Sequence, residues 1–114
     1  MPQLFVRLYA VCADASETTS AKEALLQALA DFEPSLRNPP YRYYKIPGYV
    51  GFDIDLATAT VKAYDALQAR SAAGWYLIED VYYSSAVWNW TEGLVFLHPN
   101  VRWAEIQFDT YTRP

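Results

Sequence analysis

The sequence contains one cysteine, Cys12, and one histidine, His98. A lone thiol forms no internal disulfide, so a reducing cytoplasm is the expected compartment rather than an oxidising one. A lone imidazole excludes a metal site built from several histidines. Glycine is scarce, at 4 residues in 114. Gly48-Tyr49-Val50-Gly51 lacks the Lys-Ser/Thr and the strand–loop–helix setting of a phosphate loop. There is no dinucleotide fingerprint, Gly-x-Ser-x-Gly elbow or Cys–His cluster, so neither cofactor nor metal is expected. No apolar run approaches the roughly 20 residues of a membrane-spanning helix. The longest early run, Leu4 to Ala13, is interrupted by Arg7 and lacks the basic flank of a signal peptide. Basic charge is short as well: 9 Lys+Arg against 13 Asp+Glu leave a net −4. That balance argues against nucleic acid as the main partner.

What is present is apolar and aromatic. Apolar residues make up 53% of the chain, which excludes disorder and suffices for one domain over residues 1–114. Charge and aromatics are distributed unevenly. Residues 34–52 hold Arg37, Arg42 and Lys45 and no acid. Residues 74–114 hold Glu79, Asp80, Glu92, Glu105 and Asp109 against Arg102 and Arg113, together with all four Trp. An acidic, aromatic C-terminal part is complemented by a basic ligand or protein partner.

Leu4, Val6, Leu8, Ala10 and Cys12 alternate with Arg7 and Tyr9, which predicts a first strand. Ser20 and Glu23 have capping-box spacing, and Ala21, Leu25, Ala28, Leu29 and Phe32 form a helical stripe that Pro34 ends. Glu33 to Pro40 reads as a loop. Tyr41 to Asp55 is extended and interrupted at Pro47-Gly48; Thr58 to Arg70 has a helical pattern closed by Ala73-Gly74. Trp75–Val81, Tyr82–Trp90, Leu94–Leu97 and Val101–Tyr111 are strand-like. The fold class is therefore α+β: a mostly antiparallel sheet with two helices on one face, in the order β-α-β-α-β-β with room for extra strands. A ferredoxin-like arrangement follows if Pro47-Gly48 divides its segment into two strands. The expected core is Val6, Leu8, Leu25, Leu29, Phe32, Val61, Leu67, Ile106 and Phe108.

Asp53 and Asp55 lie two apart in a strand and point to one face about 7 Å apart. They could hold a cation or perform acid–base chemistry, but no nearby motif supplies further ligands, and two solvated carboxylates explain them more simply. Cys12 falls in register with apolar residues as a buried small hydrophobe, and His98 sits in a turn without a nucleophile or orienting acid. Asn89-Trp90-Thr91 matches a glycosylation acceptor without a secretion signal. Tyr41-Arg42-Tyr43-Tyr44-Lys45 could stack on single-stranded nucleic acid, though it carries only two firm charges, and an edge strand whose aromatics pack against its neighbours explains the same letters. The last strand places Trp103, Glu105, Gln107, Asp109 and Tyr111 on one side, matching Arg7 and Tyr9 on the first. Aromatics interleaved with carboxylates supply rigid contact area and charge steering.

A small, acidic α+β chain rich in Tyr and Trp and without catalytic motifs resembles the immunity proteins of bacterial toxin–immunity systems, above all those of contact-dependent growth inhibition and related polymorphic toxins. The resemblance is one of size and character over the whole chain and transfers no residue role. It implies a non-enzymatic antitoxin that binds a cognate, basic, nuclease-type toxin domain and covers its active site, with acidic side chains in the groove that would hold phosphates. The candidate partner-binding residues are Asp53, Asp55, Glu79, Asp80, Trp88, Trp90, Glu92, Trp103, Glu105 and Asp109. A rival reading is a ferredoxin-like dimer that binds or transforms a small molecule in a pocket using Tyr64, His98 or Glu79. A second rival is a subunit of a larger assembly.

Overall fold

In the computed structural model, which describes residues 2–110, β1 (Gln3–Val11) runs through the middle of the sheet and buries Leu4, Val6, Leu8 and Ala10 on one side. The chain then enters α1 (Ala15–Ala28). Its N-cap is Asp14 rather than Ser20: the Asp14 carboxylate accepts the Glu17 amide at 2.9 Å, and Glu17 accepts the Ala13 amide at 2.8 Å. The first turns of α1 are solvent-facing, so no apolar stripe marks them. A 3₁₀ turn (Ala30–Phe32) and Glu33 in the left-handed region lead into β2 (Pro34–Leu36), inside the segment predicted as loop.

β3 (Tyr41–Arg42) and β4 (Tyr49–Leu56) are separate strands on either side of Pro47-Gly48. Thr60 caps α2 (Val61–Gln68) by accepting the Ala63 amide at 3.1 Å. β5 (Trp75–Glu79), β6 (Tyr83–Asn89) and β7 (Val101–Asp109) complete the sheet. Leu94–Leu97 is not a strand. It carries only an isolated bridge from Phe96 to His98, and Phe96 is driven fully inside against Trp75 and Trp88. Tyr111, expected at the end of the last strand, lies outside the described residues.

The seven-stranded sheet has the order β2-β4-β1-β7-β6-β5, with β3 also on β4, and every pairing is antiparallel. The architecture is α+β. Its centre has the ferredoxin-like order: β1 and β2, joined through α1, run parallel on either side of β4, and β4 and β7, joined through α2 and the β5–β6 hairpin, run parallel on either side of β1, with β3, β5 and β6 added to these two split β-α-β units. Both helices contribute to one core on one face of the sheet. Leu25, Leu29 and Phe32 from α1 and its 3₁₀ turn and Leu67 from α2 join Val6, Leu8, Ile106 and Phe108 there. Val61 does not belong to that core. It stands at the first position of α2 and is 60% exposed, while Ala63, Tyr64 and Leu67 turn inward. Among the described residues no helix is long and apolar enough to cross a membrane.

Candidate functional site

The strand registers place an ordered set of side chains on the face away from the helices. Phe5 lies between Asp55 and Gln107, Arg7 between Asp53 and Glu105, and Tyr9 between Gly51 and Trp103. β6 extends these rows with Ser85, Val87 and Asn89, and β5 adds Ile78 and Tyr76. The sequence grouping of Arg7 and Tyr9 with Trp103, Glu105, Gln107 and Asp109 is therefore realised in space.

Half of this face is covered by the chain itself. Arg37 lays its guanidinium 3.9 Å from the centre of the Phe5 ring and pairs with Asp55 at 2.6 Å. Asn38 and Tyr41 donate to the Asp53 carboxylate at 3.0 and 2.8 Å, and Arg7 Nε donates at 3.0 Å. Tyr43 stacks on Tyr9 with ring centres 4.2 Å apart, and Tyr9 stacks on Trp103 at 5.1 Å. Gly51 makes room for this cover, since a Cβ there would collide with the Tyr41 ring. Burial alone would raise the Asp53 pKa, but hydrogen bonds from Arg7, Tyr41 and Asn38 and the charge on Arg7 outweigh it and hold the carboxyl below its ordinary value. Burial, and then the bond to Asp53, pushes the Tyr41 hydroxyl well up.

Among the described residues the β7–β6–β5 half has no such cover. Glu105, Gln107 and Asp109 are half-buried along β7, and Glu105 accepts the Ser85 hydroxyl at 2.7 Å. Val87 is half-buried beside them, and Tyr76, Ile78 and Tyr83 are exposed.

Of the ten candidate residues, this open half gathers Glu105 and Asp109, with Trp103 at its boundary beside the covered half. Asp53 is withdrawn: it is 4% exposed and committed to Arg7, Tyr41 and Asn38. Trp88 is also withdrawn. It is fully buried on the helix side, its indole N–H donating to the Ser71 hydroxyl and the Ala73 carbonyl at 3.0 Å each. Asp55 is half-exposed but engaged by Arg37. Glu79 opposes Ser84 on the helix side, and Asp80 turns its carboxylate onto the Val81 amide at the hairpin end. Trp90 lies beyond β6, its ring 4.4 Å from the Arg102 guanidinium, and Glu92 follows in an exposed turn.

Asp53 and Asp55 do share a face, yet each faces its own arginine. Among the described residues no group of three or more His, Cys, Asp or Glu could hold a metal ion. Of the pocket residues of the rival reading, Glu79 is close enough for its charge to act on Tyr64, but His98 stands apart from both. His98 precedes β7 and accepts the Asn100 amide, whereas Tyr64 stacks on Phe108 near the far end of that strand. The Cys12 thiol is buried, and burial pushes its pKa up. Sequence reading expected Tyr41 and Tyr43 to pack as edge-strand aromatics, which they do, but missed the covering residues Arg37 and Asn38, although the acid-free run that holds them beside two aspartates was a signal. Comparison with protein-family models, with curated proteins and with solved structures finds no match.

Proposed function

We propose that this chain is a small cytoplasmic binding protein, without catalysis of its own, that neutralises a cognate basic toxin domain by covering its active surface. The observation that carries this reading is the open half of the sheet face. There Trp103, Glu105 and Asp109 share one face of β7, Glu105 two residues from Trp103 and Asp109 at the far end of the strand, while Arg7 and Arg37 on the neighbouring half are each matched by an aspartate. An acidic and aromatic sheet surface suits a partner with a positive groove, where aromatics supply the desolvated centre and carboxylates steer approach. The nuclease character of the partner rests on the resemblance in size and composition to immunity proteins of polymorphic toxin systems.

The test is affinity capture on the native chain from cells of its source, repeated with Glu105→Lys and Trp103→Ala. A basic protein retained by the native chain and lost with both variants supports the reading, and restoration of that protein's toxicity by the same variants completes it. Equal capture by all three chains, or no basic partner, refutes it. A second reading, small-molecule binding, is favoured by one feature, a cavity of about 350 Å³ between α1 and β3 lined by Thr18, Thr19, Lys22, Arg42 and Val50. A rise in melting temperature with a small carboxylate or phosphate would favour it.

A further inference from the structure

The two edges of the sheet are finished differently. On one, β4 is flanked by the short strands β2, which begins at Pro34, and β3. Short strands and proline close an edge to further pairing. On the other, β5 pairs among the described residues with β6 alone, in unbroken register from Trp75↔Trp88 to Glu79↔Ser84.

The hairpin settles which backbone groups of β5 point outward. The Asp80 amide donates to the Tyr83 carbonyl at 2.7 Å, and the Asn89 amide donates to the Gly74 carbonyl at 3.2 Å. Residues 74, 76, 78 and 80 therefore turn their N–H and C=O groups toward β6. By alternation Trp75, Leu77 and Glu79 turn theirs away from the sheet. The side chains are apolar on both faces: Tyr76 is 66% and Ile78 47% exposed on the uncovered face, and Leu77 is 49% exposed on the helix face. No Lys, Pro or bulge guards this strand.

We infer that β5 pairs with β5 of a second copy, antiparallel, about a two-fold axis through Leu77, joining two sheets into one. In that register Leu77 meets Leu77 of the second copy, Tyr76 meets Ile78, and Trp75 meets Glu79. The outward-facing residues then all fall in hydrogen-bonded pairs. Charge selects this occupant and this direction. The only charged side chain of β5 is Glu79, so the edge offers a basic strand little to read. Antiparallel pairing sets the two Glu79 residues about 14 Å apart along the strands, beyond a Debye length of roughly 8–10 Å. Parallel pairing would stack Glu79 and Asp80 on their own copies. The open halves of both copies would then form one surface across the seam, with Glu105 and Asp109 about 10 Å inside it on each side.

The experiment is sedimentation equilibrium of the full chain across the micromolar range, with Leu77→Lys and Leu77→Glu made separately. The native chain is expected to sediment as a dimer. Each variant should dissociate at concentrations more than about tenfold higher, because like charges meet on the axis. An equimolar mixture of the two variants should restore a dimer, and native mass spectrometry should find one chain of each kind in it. Far-UV spectra of both variants should match the native chain, Leu77 being half-exposed. A native chain that stays monomeric, variants that dimerise like it, or a mixture that stays monomeric would each overturn the inference.

Discussion

Arg7 and Asp53 stand opposite each other on β1 and β4, and the guanidinium closes on the carboxylate at 3.0 Å with the aspartate side chain 6% exposed. Asn38 and Tyr41 complete its bonding from above. Replacing Asp53 by Ala strands three donors at once, and the expected cost is about 2–4 kcal/mol, below a fully buried pair because Arg7 reaches solvent. The pH dependence has a definite sign. A carboxyl held below its unfolded pKa of about 4 contributes stability above that pH and loses it as pH falls through the folded value. Denaturant midpoints measured from neutral to acid pH should show this loss, and Asp53→Asn should remove its share of it.

The faces of β1, β4 and β7 were legible because each strand sets its aliphatic residues on the helix side and mostly polar ones on the other. Leu4, Val6 and Leu8 on β1, Val50, Phe52 and Ile54 on β4, and Ala104, Ile106 and Phe108 on β7 leave Arg7, Asp53 and Glu105 no choice of side. β6 has no such alternation. Tyr83-Ser84-Ser85-Ala86-Val87-Trp88 mixes small polar and large apolar residues on both parities, so the burial of Trp88 depends on its strand partners and not on its own letter. The cover over Asp53 was illegible for a different reason. A hydrophobic pattern reports which residues leave water, but not which face of a sheet a polar loop crosses.

Packing yields the next expectation. Leu29 and Ile106 are fully buried in the common core, whereas Val61 is largely in water. Leu29→Ala and Ile106→Ala should each cost about 2–5 kcal/mol, while Val61→Ala should stay within about 0.5 kcal/mol. Chemical denaturation of the three variants checks the contrast.

Tyr64 offers a substitution expected to help. Its ring stacks on Phe108 with centres 5.7 Å apart, but its buried hydroxyl has no hydrogen-bond partner among the described residues. Burial, with the charge of Glu79 second, pushes its pKa up to about 12. Tyr64→Phe keeps the ring and deletes the unsatisfied group, so stability should be unchanged or higher by up to about 1 kcal/mol. A clear loss would mean that the hydroxyl is bonded in solution.

Cys12, just beyond the end of β1, tests whether that end of the core is closed to solvent. It is 1% exposed, and burial disfavours its thiolate. A thiol reagent at neutral pH should label the native chain far more slowly than the denatured one. Labelling at equal rates would place Cys12 at an open surface, against the burial of Ala10 and Ala21 in the same core.

The binding proposal is tested most sharply by separating carboxylates that share the open half from those that do not. Glu105 and Asp109 belong to it, and Trp103 borders it. Glu79 faces the helix side and Glu92 lies in a separate turn. If the open half meets a basic domain, the on-rate should fall as salt rises, because the interacting charges are screened. Glu105→Lys and Asp109→Lys should slow association, and Trp103→Ala should speed dissociation by removing an aromatic anchor. Glu79→Lys and Glu92→Lys change the net charge by the same amount from other positions, so they should leave dissociation unaltered and slow association less. Stopped-flow or biosensor kinetics against the captured partner separate these outcomes. Equal effects from all four charge reversals would mean that only total charge matters. A larger effect from Glu79 or Glu92 would move the interface off the open half altogether.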